Sequence, residues 1–210
     1  MNNSAYFDHF LSNSMKLYIG LFVTLLGAVV IAISAFSISE ARELNSSELS
    51  HEFDVCLTSI YISMGSSSFE DNIERCASLS EKFSSDNVLK KSYDTAVNFL
   101  DITKKYYNST DFEIDYKSII SELENRESII DDRFKISYSN SVEEFSNDCD
   151  KLQTLYNDVN NLLLKLKGNI IKKEKAKKEL NSINERYNSL KDNDRKKTIK
   201  AYIDIVNEYL

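Results

Sequence analysis

Apolar residues form one continuous run near the N-terminus of this chain. Further along, they recur with the spacing of helices. Residues 17–39 form a run of 23 positions without a charged side chain. A helix needs about 20 apolar residues to cross a bilayer, whereas the apolar core of a secretory signal spans only about 7–15. The run therefore predicts a retained, single transmembrane helix over residues 16–40, after a short tail of residues 1–15. The alternative is a secretory signal that starts at Met15 and is cleaved near Ala32-Ile33-Ser34.

Past this run, apolar residues recur every three or four positions, which is the spacing of helices that bury one face. The chain has no proline and only four glycines, so the residues that most often interrupt helices are scarce. Capping boxes, in which Ser or Thr precedes Glu by three residues, predict helix starts at Ser67, Thr110 and Ser141. The sequence therefore predicts an all-α fold with a helical bundle over residues 45–140.

The clearest periodicity lies in the second half of the chain. Nine apolar residues follow spacings of three and four without a miss, which is the a/d seam of left-handed helix packing. These residues are Val142, Phe145, Cys149, Leu152, Tyr156, Val159, Leu163, Leu166 and Ile170. Lys173 and Lys177 then occupy seam positions, so the seam fails there. The seam fits either one helix of an intramolecular bundle or the interface of a homodimer.

Gly168-Asn169 lies shortly before the seam fails, and such a pair is typical of a helix end. One glycine inside a helix costs only about 1 kcal/mol, so we expect a continuous coiled-coil-like helix over residues 141–191. Because the C-terminal half of this helix is polar, we expect it to project from the bundle as an arm. A separate C-terminal helix is expected over residues 194–210.

The net charge of -7 is unevenly spread. Residues 39–164 are strongly acidic, whereas residues 165–200 carry 13 basic and five acidic side chains. We expect the basic stretch to complement the acidic part of the same bundle or its partner, and anionic lipid is a second target for residues 165–200. Nucleic acid is not expected, because Tyr187 is the one aromatic residue there and single-strand binding relies on stacked bases.

Few side chains are suited to catalysis or metal binding. The chain has two histidines, His9 and His51, and nucleophilic catalysis needs a positioned imidazole beside the nucleophile. The three cysteines lack the CxxC spacing of zinc sites, and four glycines cannot build phosphate-binding loops. We therefore expect no catalytic, cofactor-binding or metal-binding residues, and we do not expect an enzyme.

Two of the cysteines suggest a covalent link. Cys56 and Cys76 are equally distant from a predicted turn at Gly65-Ser66-Ser67, so an antiparallel helical hairpin would place the two thiols level with each other. A disulfide is then expected in an oxidising compartment, and the alternative is two small apolar core residues. Cys149 lies in the seam and is expected to be buried.

The membrane orientation follows from the basic residues that flank the predicted span. Lys16 precedes the span and Arg42 follows it, so the number of basic residues on the two sides is nearly equal. We expect a cytoplasmic N-terminus and an extracytoplasmic C-terminal domain.

Together these features indicate a single-pass membrane-anchored scaffold or adaptor. It would bind a protein partner, or a second copy of itself, through the coiled-coil face. The expected apolar strip consists of Leu152, Tyr156, Val159, Leu163 and Leu166, with Lys172, Lys173 and Lys177 as electrostatic guides. Two alternatives stay open. The first is an extracytoplasmic helical-bundle sensor or ligand-binding module that acts with a separate membrane partner, and the second is a membrane-perturbing envelope or defence effector.

Overall fold

The computed structural model describes residues 46–210, and all regular secondary structure in this range is helical. The all-α fold class and the helical bundle are thereby confirmed for the described residues. Within them, no helix combines the length and the apolar character needed to cross a bilayer. The predicted tail and transmembrane helix, residues 1–15 and 16–40, lie outside the described residues.

Residues 53–210 form one compact unit, and residues 46–52, described by themselves, are helical and largely exposed. Seven helices follow one another in this unit, with one short 3₁₀ turn at Glu127–Ile129 between the fourth and the fifth. The helices are α1 (residues 53–63), α2 (Phe69–Ser80), α3 (Val88–Tyr107), α4 (Tyr116–Arg126), α5 (Asp132–Lys167), α6 (Lys173–Asn188) and α7 (Asp194–Tyr209).

The first half of α5 packs among α1–α4 around an aromatic core. Asp54, near one end of this unit, forms a 2.6 Å ion pair with Arg133 at the start of α5. The rings of Tyr61 and Phe134 stack with their centroids 4.5 Å apart. The Tyr61 hydroxyl also donates a 2.8 Å hydrogen bond to the carbonyl of Ser92 in α3. These contacts hold α1, α3 and α5 in one layer of buried aromatic side chains.

The second half of α5 packs against α6 and α7. α6 runs antiparallel to α5, and two ion pairs at different levels join the two helices. These pairs are Lys165–Glu179 at 3.5 Å and Arg186–Asp158 at 2.7 Å. α7 returns along α5, where the ring of Tyr202 packs edge-on against Tyr156 with centroids 5.3 Å apart. α5 is therefore the helix that both halves of the unit share, and its 36 residues span about 54 Å.

The structure differs from the predicted continuous helix over residues 141–191, since α5 ends at Lys167 and the chain reverses before α6. The amide of Ile170 donates to the Lys165 carbonyl at 2.8 Å, and the amide of Asn169 donates to the Leu166 carbonyl at 3.0 Å. With Asn169 at φ +52°, this pair of bonds is a Schellman ending.

The reason for the reversal is burial. Folding back lets Ala176, Leu180 and Ile183 of α6 enter the core, which a straight rod would leave exposed. Several such side chains outweigh the small preference for continuing through one glycine. Among the described residues there is accordingly no projecting arm.

The helix starts also differ from the predicted capping boxes. Ser141 lies inside α5, where its hydroxyl donates to the Ser137 carbonyl at 3.0 Å. α5 instead begins after Asp131, whose carboxylate accepts the Arg133 amide at 3.0 Å. α4 likewise begins after Asp115 rather than at Thr110. The Ser/Thr-to-Glu spacing also occurs within helices and does not by itself mark a helix start. In α4 and α5 the start is set by an Asp whose carboxylate accepts backbone amides that have no partner within the helix.

Candidate functional site

The predicted apolar strip lies inside the fold. Leu152, Val159, Leu163 and Leu166 are buried in the core, and the partly buried ring of Tyr156 stacks on Phe112 at a centroid distance of 4.1 Å. The strip is therefore not accessible to a partner in this fold, because the chain's own helices cover it. The seam belongs to an intramolecular bundle.

The predicted lysines, by contrast, are exposed. Lys172 is the N-cap residue of α6, and its neighbours Lys173, Lys175, Lys177 and Lys178 are also exposed. These five side chains, the basic tip, surround the reversal between α5 and α6. The N-terminal end of a helix carries a partial positive charge, which disfavours lysines in the first turn, here Lys172, Lys173 and Lys175. Lys173 Nζ donates a 3.1 Å hydrogen bond to the Leu210 carbonyl. The stability of α6 therefore does not explain the lysines at positions 172 and 175.

Most other basic residues of the 165–200 stretch have acidic neighbours. Lys165 pairs with Glu179, Arg186 with Asp158 at 2.7 Å, and Lys191 with Glu144 at 2.7 Å. Two of these three pairs join the stretch to acidic residues of α5. The interpretation that this stretch complements the acidic part of the same bundle thus holds for its C-terminal portion, while the basic tip is left outside it.

The structure joins Cys56 of α1 to Cys76 of α2 as a disulfide, with Cα atoms 5.9 Å apart. Cys149 is free and buried in α5. Burial raises the pKa of the Cys149 thiol to about 12, so the group stays protonated and unreactive at neutral pH. The fold therefore contains one cross-link and one inert thiol in its described part.

A groove of about 180 Å³ opens beside α5, between the α1–α2 turn, α3 and the α6–α7 connection. Its walls are mostly apolar, and three phenylalanine rings contribute to them. These rings belong to Phe69, Phe99 and Phe145. A neighbouring depression of about 250 Å³ shares Tyr107, Glu144, Asp148 and Lys191 with the groove. The two spaces therefore meet at this set of polar side chains.

Lys191 closes the boundary between the two spaces. Its Nζ lies 2.7 Å from Glu144 Oε1 and 3.3 Å from Asp148 Oδ2. The hydrogen bond to Glu144 is the main cause of a raised pKa for Lys191, so its ammonium stays charged. Asp148 is further held by the Tyr107 hydroxyl, which donates to it at 3.3 Å, and burial raises the pKa of that tyrosine.

Sequence reasoning missed Arg195, which is fully buried at the start of α7. Its Nε donates to the Tyr106 carbonyl at 2.7 Å and its Nη2 to the Asp111 carbonyl at 2.6 Å. The guanidinium also lies 3.8 Å from the Tyr106 ring centroid. Arg195 thus ties α7 to the C-terminal end of α3. One signal was present, because Arg195 stands four positions before Ile199 and hence on the apolar face of α7.

The described residues contain no cluster of metal ligands. No group of three or more His, Cys, Asp or Glu side chains within residues 46–210 is arranged to hold a metal ion. His51 is exposed in the segment of residues 46–52. The features that the structure does provide are an exposed cluster of lysines at the basic tip and a small apolar groove bordered by charges.

A scan against protein-family models found no match to this chain, and searches of curated proteins and of solved structures found none either. Similarity to other proteins therefore contributes nothing to the assignment of function. The geometry of the basic tip and of the groove is the basis for it.

Proposed function

We propose that this chain is a membrane-anchored helical adaptor that binds an acidic protein surface through the basic tip. The observation that carries the proposal is the exposure of five lysines around one helix reversal, three of which lie at the first turn of α6, where the helix dipole disfavours them. The uncharged run of residues 17–39 supplies the anchor, and the compact unit supplies a rigid support.

The location of the basic tip suits a docking role. α5 begins beside Asp54 at one end of the unit, and its other end, about 54 Å away, leads into the basic tip. Ile170 in the same reversal is 78% exposed, so a partner would meet one apolar side chain among the lysines. Charged rims around apolar contacts steer encounter and fix orientation.

The disulfide supports an extracytoplasmic location for this unit. Disulfides persist in oxidising compartments and are rare in the cytosol. The Cys56–Cys76 link therefore favours a cytoplasmic N-terminus with residues 53–210 on the opposite side of the membrane.

The test is charge reversal at the basic tip in the full chain, expressed in intact cells. The variant K172E/K173E/K177E is compared with K82E/K105E/K117E, which reverses three exposed lysines elsewhere in the unit. Because glutamate is favoured near a helix N-terminus, the first variant is expected to keep α6 folded. The readout is zero-length cross-linking in intact cells, followed by mass spectrometry of the residues involved.

We expect cross-links from residues 172–178 to one acidic protein in the native chain and in the control variant, and their loss in the tip variant. Equal cross-linking of the two variants would refute the adaptor role of the basic tip. If the tip variant instead loses only binding to anionic vesicles, with no protein cross-link in the native chain, the partner is lipid and the proposal is wrong.

A further inference from the structure

We propose that the groove beside α5 binds a small organic ammonium ion with an apolar body, whose charge replaces the Lys191 ammonium between Glu144 and Asp148. This activity is independent of the basic tip, which lies at the opposite end of α6 from Lys191. Three observations support the proposal: the lining of the groove, its size and the position of Lys191.

The lining selects the sign of the ligand's charge. Two carboxylates, those of Glu144 and Asp148, border both the groove and its neighbouring depression. Lys191 is the one basic side chain that lines the groove among the described residues, and it is engaged with both carboxylates. Inside the groove two carboxylates face one ammonium, so an anionic ligand would meet a net negative lining there and a cation would meet two acceptors. On the side of the depression, Lys151 also approaches Asp148, at 3.7 Å.

The chain itself demonstrates that an ammonium group fits this position. Lys191 Nζ is within hydrogen-bond distance of Glu144 Oε1, at 2.7 Å, and lies close to Asp148. Lys191 sits in the short connection between α6 and α7, and its side chain is 60% exposed. The Lys191–Glu144 pair is exposed on both sides, and such pairs contribute little to stability. Asp148 is only 17% exposed, but it keeps the Tyr107 hydroxyl at 3.3 Å and Lys151 at 3.7 Å when Lys191 leaves it to a ligand.

The size and walls of the groove select the body of the ligand. An apolar cavity of about 150 Å³ accommodates benzene, so a groove of about 180 Å³ has room for one aromatic ring. Phe69, Phe99 and Phe145 offer the ring faces and edges against which such a body packs. The chemical class that fits is therefore an arylalkylammonium ion with one ring and a short linker.

The experiment measures binding of phenethylammonium to the full chain in detergent by isothermal titration calorimetry. Phenethyl alcohol serves as the neutral analogue and hydrocinnamate as the anionic one. K191M removes the internal ammonium, and K82M, an exposed lysine far along the chain, is the matched control. E144Q and the double variant E144Q/D148N remove the carboxylates while keeping side chains of similar shape.

We expect K191M to bind phenethylammonium roughly fivefold more tightly than the native chain or K82M, because the ligand no longer displaces an exposed ion pair. The E144Q/D148N variant should lose about tenfold in affinity, since charge-assisted hydrogen bonds are lost. E144Q alone should give an intermediate loss of affinity. Because Glu144 is exposed, this variant remains informative if the double variant is unstable.

Three results would overturn the proposal. One is equal affinity of K191M for phenethylammonium and phenethyl alcohol, which would mean that charge plays no part. Another is unchanged affinity in E144Q, which would separate the ligand from the carboxylates. The third is an absence of binding to K191M at millimolar phenethylammonium.

Discussion

The guanidinium of Arg195 stacks on the ring of Tyr106 while its Nε donates to the carbonyl of that same residue. One side chain thus engages both the backbone and the ring of a residue 89 positions earlier in the chain. No carboxylate balances its charge among these contacts. The two carbonyl acceptors, the end of α3 and the aromatic face replace part of the water that burial removes. The Nη1 atom of Arg195 is buried and has no hydrogen-bond partner among the described residues.

Replacing Arg195 with methionine is expected to destabilise the unit by about 3 kcal/mol, because two carbonyls lose a charged donor and a ring loses its cation. R195K should be nearly as harmful, since an ammonium lacks the planar fork that reaches both carbonyls. Urea denaturation measures both variants. K197M, an exposed change on the same helix, is the control and should stay within about 0.5 kcal/mol of the native chain.

The reversal at Asn169 can be tested with two substitutions. Because Asn169 adopts φ +52°, N169A should cost about 1 kcal/mol, whereas N169G should be nearly neutral. The control is N161A, an exposed position inside α5 where alanine is the better helix former. If N169A stabilised the unit as N161A does, the chain would continue helically through this position and the reversal would be refuted.

The Asp131–Arg133 pair gives a pH-dependent prediction. Hydrogen bonds from Arg133 lower the pKa of Asp131 below its ordinary value of 3.8. Because the folded protein holds this proton less tightly than the unfolded chain, the contribution to stability is complete above pH 3.8 and is lost as the pH falls through the lower, folded pKa.

The variant D131N isolates that charge, since asparagine remains a good N-cap residue. Arg133 is about half exposed, so the difference in unfolding free energy at pH 7 should be at most about 1 kcal/mol. The difference between the two proteins should shrink in urea titrations as the pH falls below 3.8. A constant difference across this range would show that the charge is not responsible.

The state of the three cysteines predicts how many thiols react with maleimide. In the folded chain without reductant, no thiol should react with maleimide, because two are bonded and Cys149 is buried with a raised pKa. Denaturation should release one thiol, and added reductant should release three. Three reactive thiols without reductant would contradict the cross-link and remove the support for an extracytoplasmic unit.

The contribution of the Cys56–Cys76 disulfide to the free energy of unfolding can also be measured. Replacing both Cys56 and Cys76 with alanine opens a loop of about 20 residues, for which chain entropy predicts a loss of about 3 kcal/mol. C149A serves as the comparison, because it changes a buried cysteine without opening a loop. Both are measured by urea denaturation of the oxidised protein.

Local sequence patterns predicted the helical class and the seam within α5, and they identified Gly168-Asn169 as a pair that can end a helix although a continuous helix was expected. They did not predict that the chain turns there, because the preference for turning arises when Leu180 and Ile183 become buried against a distant helix. The level placement of Cys56 and Cys76 could be inferred, since it depends on one short turn.

The groove and Arg195 could not be inferred in the same way. Lys191 and Glu144 are separated by 47 positions, and Arg195 and Tyr106 by 89. In sequence Lys191 looks like a member of a solvated charged stretch, and the spacing of Arg195 from Ile199 indicates an apolar face without identifying a partner. Their partners are set by how α3, α5 and α7 approach one another, and no local spacing encodes that approach.

The order in which α5 and its covering helices are synthesised gives the reversal at Asn169 a further consequence. The ribosome completes α5 before α6 and α7 emerge, so the leucine seam is covered only by helices that are made later. A nascent or proteolysed chain that stops at residue 172 would expose this apolar surface. Such fragments should self-associate, so quality control of this protein is expected to depend on residues 173–210 reaching the fold.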